Sequence, residues 1–197
     1  MSKKISKLVL LLITVFLIIS LAGCGTTDNN NTNTQSSTNT ANEPVNPEEG
    51  YSLFTSSDNK ISFVYDNDWT SIDGSAQGLK QVFMAPDNST NLSYLTETLP
   101  TAYTVKEYAD ASKAQLQSYL GIASFSKDEA IKVGPRDGYE VEYDFSISDQ
   151  DTISTKIKQV FMVVDNLAYV FTYTATSDNF NTHLNVANKM IDSIRIK

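Results

Sequence analysis

The sequence predicts an α+β fold, in which a mostly antiparallel sheet has helices on both faces. Residues 139–147 alternate strictly between apolar and polar side chains, which is the period of a half-buried strand. Residues 153–164 and 167–176 then form two long predicted strands around Asp165-Asn166, a pair that tolerates the positive φ of a type I′ turn. The first of these strands ends in an apolar run, so we expect the sheet to be covered on both sides there.

Two amphipathic helices are predicted to provide this cover. The first starts at Thr104, which forms a capping box with Glu107, and it ends at Gly121, because glycine adopts the left-handed conformation without strain. The second follows Ser177. Its apolar residues recur at the spacing of one helical face: Phe180, Leu184, Ala187, Ile191 and Ile194.

The remaining predicted strands are shorter and are bounded by turn-forming residues. Four precede the first helix and two weaker extended pieces follow it: residues 51–55, 61–65, 80–84, 91–98, 122–127 and 130–133. Residues 134–138 form a turn, because they combine two glycines with proline and aspartate. The complete sheet is expected to have about seven or eight strands.

The first 23 residues have the features of a secretory signal. Three lysines precede an apolar run over residues 8–19, which is shorter than the roughly 20 residues that a membrane span needs. Leu21-Ala22-Gly23-Cys24 resembles a bacterial lipobox at all four positions. The resemblance implies that the Cys24 thiol carries diacylglycerol and that cleavage of residues 1–23 makes Cys24 the mature N-terminus. The alternative is an ordinary signal peptide with an unmodified cysteine.

A change of composition after the lipobox predicts a tether. Residues 24–50 combine Cys24 with an Asn/Thr/Ser-rich stretch that contains no aromatic residue. Such a stretch cannot bury enough apolar surface to offset its loss of conformational entropy. We therefore predict that it is disordered and makes almost no contact with the domain. Residues 51–197 are then one globular domain of ordinary size.

The charge balance argues against some classes of partner. The precursor has 15 basic and 23 acidic residues, for a net charge of −8. Removal of the signal takes away three lysines and no acid, which leaves 12 basic residues and a net charge of −11. Nucleic acid and anionic membrane surfaces both repel an acidic domain. We therefore expect no nucleic-acid partner, and an attachment to the membrane that depends on the lipid at Cys24.

The order of the elements is similar to that of the PsbP/Mog1 superfamily of α/β/α sandwiches. Several hydrophobic patterns contribute to the resemblance: residues 61–65 followed by Trp69, the turn 134–139, the strand pair 158–162 and 168–175, and the closing stretch 191–196. It extends over residues 51–197, with Asp66 standing where such domains usually have proline. Known members bind other proteins, so the resemblance implies binding without catalysis and assigns no site residue.

The residue types do not form an evident catalytic constellation. The one histidine, His183, falls near the start of the second predicted helix, where a surface role is expected rather than that of a general base. The one cysteine, Cys24, is committed to lipid. We therefore predict no catalytic residue, no cofactor and no enzyme activity. Trp69 is interpreted as a plug of the core rather than a platform for a sugar.

Two acidic turns raise the possibility of a calcium site. Asp66-Asn67-Asp68 and Asp149-Gln150-Asp151 offer the oxygen ligands that calcium favours, but neither continues into the spacing of an EF-hand. Aspartate and asparagine are also common turn formers. The prediction is that both are turns and that the chain has no metal site, although weak calcium binding is left open.

Glu140, Glu142 and Asp144 share one face of a predicted strand and could form an acidic binding strip. Lys156 and Lys158 have the same parity on the next strand. If the loop between these strands is symmetric, paired numbers sum to 300, and Asp144 faces Lys156 while Glu142 faces Lys158. A sum of 298 would pair Glu142 with Lys156 and Glu140 with Lys158. Either register predicts exposed cross-strand ion pairs, so the strip is interpreted as structural.

Two functions are compatible with the sequence. The first is a non-catalytic accessory module that binds an envelope protein or component from the extracytoplasmic face of the bacterial membrane. The alternative is a substrate-capturing lipoprotein, or an accessory of a cell-wall hydrolase, with a small-ligand pocket. A pocket with converging polar groups would favour the alternative, whereas a flat or grooved face with exposed aromatic residues would favour the first.

Overall fold

A computed structural model describes residues 46–122, 124–146 and 154–197. In these ranges the chain forms β1 (Tyr51–Thr55), β2 (Ile61–Asp66), β3 (Thr70–Ile72), β4 (Gln81–Met84), β5 (Asn91–Thr98), α1 (Val105–Leu120), β6 (Lys127–Val133), β7 (Arg136–Phe145), β8 (Thr155–Val164), β9 (Leu167–Thr176), α2 (Phe180–Asp192) and β10 (Arg195–Ile196). The predicted signal, Cys24 and the acidic turn 149–151 lie outside the described residues. No helix of the described part is long and apolar enough to cross a bilayer.

The strands form two antiparallel sheets. The large sheet has the order β3-β4-β5-β9-β8-β7-β6, and a small sheet has the order β1-β2-β10. The predicted α+β class is correct and the large sheet has seven strands, within the predicted seven or eight, but the separate small sheet was not predicted. β3 and β10 have only three and two residues, which is too short for an alternating pattern to show.

The register of the long strands follows the prediction. Asp144 pairs with Lys156 and Glu142 with Lys158, so paired numbers in β7 and β8 sum to 300. β8 and β9 meet at Asp165-Asn166, where φ is 49° and 59°. A type I′ turn needs positive φ at both central residues, so the predicted hairpin is confirmed.

α1 covers one face of the large sheet. The Glu107 amide donates a hydrogen bond to the Thr104 hydroxyl, and the Thr104 amide donates one to the Glu107 carboxylate, so the predicted capping box is present. Gly121 ends the helix in the left-handed region, with φ 67°. The buried side of α1 packs in one apolar cluster with strands of the sheet, including Tyr108, Leu116, Val141, Tyr143, Phe161 and Val170.

The opposite face is covered jointly by α2 and the small sheet. Phe180 and Ile191 of α2 share a buried cluster with Phe63 of β2 and Phe171 of β9. Ser193, just after α2, accepts a hydrogen bond from the amide of Val64 at 3.0 Å and donates one to the Met190 carbonyl at 2.7 Å. The small sheet is therefore fastened to the end of α2 while it packs on the large sheet.

Residues 46–50 contact the domain, which corrects the predicted end of the tether. Lys189 of α2 donates a hydrogen bond to the Glu48 carboxylate at 2.8 Å, and the Tyr51 amide donates one to the Glu48 carbonyl at 3.0 Å. Lys189 also lies 3.9 Å from the centre of the Tyr51 ring. Composition predicts that this stretch buries little apolar surface, but it does not account for one carboxylate placed beside a helix lysine. The rest of the predicted tether lies outside the described residues.

Candidate functional site

A pocket of about 530 Å³ opens between the turn that joins β1 to β2 and the face of the large sheet. Beside the pocket, Phe54 of β1 packs between the two sheets. The centre of its ring lies 5.3 Å from that of Phe83 in β4 and 6.0 Å from that of Tyr94 in β5. The Ser56–Lys60 turn consequently overhangs β4, β5 and β9. The pocket is thus a product of the packing of one sheet on the other.

Two tyrosines on neighbouring strands form the floor of the pocket. Tyr169 of β9 pairs with Thr96 of β5, two residues from Tyr94, so both phenols stand on the same face of the sheet. Tyr94 is 4% exposed and Tyr169 is 3% exposed. The Tyr94 ring stacks on Phe171 at 5.4 Å, which fixes its position. Both residues line the pocket, and neither hydroxyl makes a hydrogen bond within the described part of the chain.

Both phenols are hydrogen-bond donors at neutral pH. Burial raises the pKa of Tyr94 to about 12, and the nearby Asp58 carboxylate adds to this shift. Burial also raises the pKa of Tyr169, again with a contribution from Asp58. Because each phenol keeps its proton and has no protein acceptor among the described residues, the floor offers two solvent-accessible O–H groups to a bound molecule.

The turn above the floor is held by its own hydrogen bonds. Asp58 Oδ1 accepts from the Ser56 hydroxyl at 2.6 Å and from the Lys60 amide at 3.1 Å, and Ser56 Oγ accepts from the Ile61 amide at 3.1 Å. The Ser56 hydrogen bond, more than the other favourable contacts, holds the pKa of the Asp58 carboxyl below its ordinary value. Asn59 has φ 55°, a conformation that asparagine tolerates. This wall of the pocket is therefore preformed.

Two lysines stand at the exposed rim of the pocket. The Lys80 amide donates a hydrogen bond to the Tyr94 carbonyl at 2.8 Å, which places Lys80 next to the floor. Lys60 is the last residue of the turn that forms the opposite wall of the pocket. Seven of the ten described lysines lie within 4.0 Å of a carboxylate oxygen, and Lys60, Lys80 and Lys197 are the other three. The second acid of the rim, Asp73, accepts hydrogen bonds from the amide and the hydroxyl of Ser75, both at 2.9 Å.

His183 and Trp69 lie together at a distance from this pocket. His183 Nε2 is 3.5 Å from Asp87 Oδ2, and its ring meets the edge of Trp69 at 5.9 Å. Trp69 is 4% exposed and belongs to the main core cluster, as the interpretation of a core plug requires. Neither residue lines the pocket.

Two of the three acids in the strip, Glu140 and Glu142, are buried, which corrects the prediction of exposed ion pairs, whereas Asp144 is exposed. Glu140 is 4% exposed, Glu142 6% and Lys158 5%. The prediction was wrong because α2 lies over this part of the sheet, and its Asn188 accepts a hydrogen bond from Lys158 at 2.9 Å. Pairing in the strip also runs diagonally across the confirmed register: Lys158 contacts Glu140 at 2.7 Å, and Lys156 contacts Glu142 at 3.4 Å.

The acidic turn after β2 is stabilised within itself. Asp66 Oδ1 accepts a hydrogen bond from the Asp68 amide at 2.9 Å, the contact of an Asx turn. Within the described ranges, no three histidine, cysteine, aspartate or glutamate side chains are grouped to hold a metal ion. The second acidic turn, Asp149-Gln150-Asp151, lies outside these ranges.

Sequence analysis assigns no functional role to the residues that line the pocket. Tyr94 and Tyr169 occupy ordinary apolar positions of their strands, and Lys60 and Lys80 stand just before β2 and β4. In the sequence, Lys60 precedes the predicted strand 61–65 and Lys80 begins the predicted strand 80–84, and neither position indicates a binding role. Only the packing of the two sheets brings them together.

Comparison with known proteins gives a family and a fold. A model of the DcrB family matches residues 77–193, which is more than half of the chain. Comparison with curated protein sequences returns no match.

Three solved structures illustrate the similarity of fold. Cyanobacterial PsbP (CyanoP) from Synechocystis sp. PCC 6803 has a TM-score of 0.58 at 16% identity, with 77% of this chain and 95% of that chain covered. LpqN of Mycobacterium tuberculosis, involved in cell envelope biogenesis, has a TM-score of 0.52 at 13% identity, with 75% of this chain and 90% of that chain covered. The Saccharomyces cerevisiae Ran-binding protein Mog1p has a TM-score of 0.51 at 10% identity, with 74% of this chain and 95% of that chain covered. The PsbP/Mog1-like fold is therefore confirmed.

Proposed function

This chain belongs to the DcrB family, and we propose that it is a membrane-anchored, extracytoplasmic binding module that serves an envelope protein or component without catalysing a reaction. One observation supports binding above all, the preformed pocket whose floor presents two tyrosine hydroxyls to solvent, with no acceptor among the described residues. The envelope setting is supported by the lipobox-like Leu21 to Cys24 and by the fold shared with LpqN, a protein of envelope biogenesis.

Lipid attachment at Cys24 is the part of the proposal that concerns location. An acidic domain is not held at an anionic surface by charge, so two acyl chains would supply the attachment. Cells fed an alkyne-bearing palmitate should label the wild-type chain, and Cys24→Ala should lose both the label and its retention in washed membranes. Ser20→Ala, which leaves the lipobox intact, is the matched control. Full labelling of Cys24→Ala would contradict the anchor.

Binding at the pocket can be tested in intact cells by photo-crosslinking. Ser57 lies on the exposed turn that lines the pocket, whereas Gln117 is exposed on α1, on the other side of the large sheet. A photoreactive phenylalanine at Ser57 should give a discrete adduct, and the same residue at Gln117 should not. Adducts at Gln117 alone would place the binding surface elsewhere, and the absence of adducts at both positions would contradict a binding function at either face.

The pocket also favours the alternative function, capture of a small substrate for an envelope enzyme. Its polar groups converge as such a site requires, and it lies apart from His183. In both versions the chain itself binds and does not turn over its ligand. Assay of the purified full chain against peptidoglycan, esters, peptides and phosphoesters separates these versions from catalysis. Turnover that is lost on changing Asp58 or Asp73 would show that the chain is an enzyme.

A further inference from the structure

The polar groups of the pocket have an excess of unused donors. The hydroxyls of Tyr94 and Tyr169 and the ammonium groups of Lys60 and Lys80 make no side-chain hydrogen bond within the described part of the chain. The two carboxylates are partly used, because Asp58 and Asp73 each receive two hydrogen bonds from their own turns, both of them at Oδ1 in Asp58. A molecule that brings hydrogen-bond acceptors would therefore use the four free donors of this pocket.

The charges at the rim favour the same kind of molecule. Elsewhere in the described chain, lysines other than the C-terminal Lys197 are neutralised by a carboxylate within 4.0 Å. Lys60 and Lys80 have no carboxylate oxygen within this distance, although the charge of Lys60 helps to lower the pKa of Asp58, and both lysines line one pocket. An oxyanion between them would receive charge-assisted hydrogen bonds, which are stronger than those between neutral groups. Asp58 is close enough to raise the pKa of both phenols, so its charge opposes a bound anion and the two lysines have to outweigh it.

Three apolar side chains, Phe54, Ile61 and Leu167, also line the pocket, among polar residues such as Thr55, Gln81 and Thr96. Ile61 is 2% exposed, and Phe54 and Leu167 are partly buried against the main core cluster. A small inorganic anion would leave much of a pocket of about 530 Å³ unfilled, since cavities of this size accommodate organic ligands. Contact with these side chains favours the binding of a ligand that carries a hydrocarbon part next to its charged group.

We propose that the pocket binds an oxyanion, a phosphate or a carboxylate, that carries an apolar chain, with Lys60 and Lys80 holding the charge and the Tyr94 and Tyr169 hydroxyls donating to its oxygens. This inference rests on the proposed binding function and names the chemistry of its ligand. Envelope lipids and free metabolites both offer such groups, and the shared feature is the oxyanion.

The test uses isothermal titration calorimetry of the purified full chain in micelles of a non-ionic maltoside detergent, which carries no oxyanion. The probes are hexyl phosphate, hexanoate, inorganic phosphate, hexanol and hexyltrimethylammonium. Hexyl phosphate or hexanoate should bind at least about tenfold more tightly than hexanol, because the neutral probe forgoes the charge-assisted hydrogen bonds. Tighter binding of the hexyl anions than of inorganic phosphate supports an amphiphile. Equal binding of inorganic phosphate keeps the oxyanion site but removes the apolar chain from the proposal.

Matched variants locate the binding. The double variant Lys60→Gln with Lys80→Gln should weaken binding of the preferred anion by about tenfold or more. The control, Lys106→Gln with Lys132→Gln, removes the same charge from exposed lysines outside the pocket and should change this affinity by less than about twofold. Tyr94→Phe with Tyr169→Phe, which keeps both rings, should also weaken it. Equal losses in both lysine pairs would overturn the assignment of the site.

The remaining outcomes distinguish the ligand chemistry from the binding function. Preferred binding of hexyltrimethylammonium would show that Asp58 and Asp73 dominate and would overturn the oxyanion. If no anion binds while Ser57 still crosslinks in cells, the oxyanion is wrong and the binding function stands. If no anion binds and Ser57 gives no adduct, both are wrong.

Discussion

At the scale of single residues, the strip on β7 and β8 shows how a carboxylate can be buried and remain charged. Glu140 accepts hydrogen bonds from Lys127 at 2.8 Å and lies 2.7 Å from Lys158. Burial alone would raise its pKa, but the hydrogen bonds from the two lysines outweigh it, so the pKa of Glu140 is lowered. A buried charge that is paired on two sides costs far less than an isolated one.

The lowered pKa of Glu140 makes part of the stability dependent on pH. A carboxyl whose pKa is depressed on folding contributes stability above its ordinary pKa, and this contribution is lost as the pH falls through the depressed value. The free energy of unfolding should therefore fall below a pH of about 4.5, and it should fall less in Glu140→Gln. At pH 7 this variant should be less stable by about 3 kcal/mol, because two lysines lose their buried partner.

Thermal unfolding of the full chain between pH 3 and pH 7, followed by circular dichroism, measures this effect. Glu49→Gln, an exposed carboxylate without an ion pair among the described residues, is the matched control and should follow the wild type. A pH profile of Glu140→Gln that is parallel to the wild type would contradict the account of the buried strip.

At the scale of the elements, local chemistry decides where α1 begins. The capping box satisfies two amides that have no partner inside the helix, the Glu107 amide at 3.2 Å from Thr104 Oγ1 and the Thr104 amide at 2.8 Å from Glu107 Oε2. Thr104→Ala should lower the free energy of unfolding by about 1 kcal/mol, which is the usual cost of losing such a cap. Chemical denaturation of the full chain measures it. Thr101→Ala, an exposed threonine three residues earlier, should have no effect, and equal losses in both variants would contradict the cap.

Elements with a strong local signal were predictable, and those held by tertiary contacts were not. β5 and β9 have the bounds that alternation and the Asp165-Asn166 turn predict. β3 and β10 exist because longer neighbours offer them an edge, with β3 pairing to β4 and β10 to β2. No period can be seen in two or three residues, so their sequence carries no such information.

At the scale of the whole molecule, the fold was predictable and the candidate site was not. An apolar run on both sides of β8 requires two covering layers, which are α1 on one side and α2 together with the small sheet on the other. The site instead depends on how the small sheet packs on the large sheet, because this packing brings Lys60 next to Tyr94 and Tyr169. Residues so far apart in the chain share no spacing that a sequence pattern could reveal.

The central claim is that this pocket is occupied when the protein is in its own envelope. Lysine acylation measured by peptide mass spectrometry tests it directly, because Lys60 and Lys80 are exposed and line the pocket, whereas the exposed Lys106 and Lys132 do not. We expect Lys60 and Lys80 to be modified less in intact cells than in the purified, ligand-free full chain, with Lys106 and Lys132 modified equally in both. Equal modification of Lys60 and Lys80 in the two settings would contradict the claim.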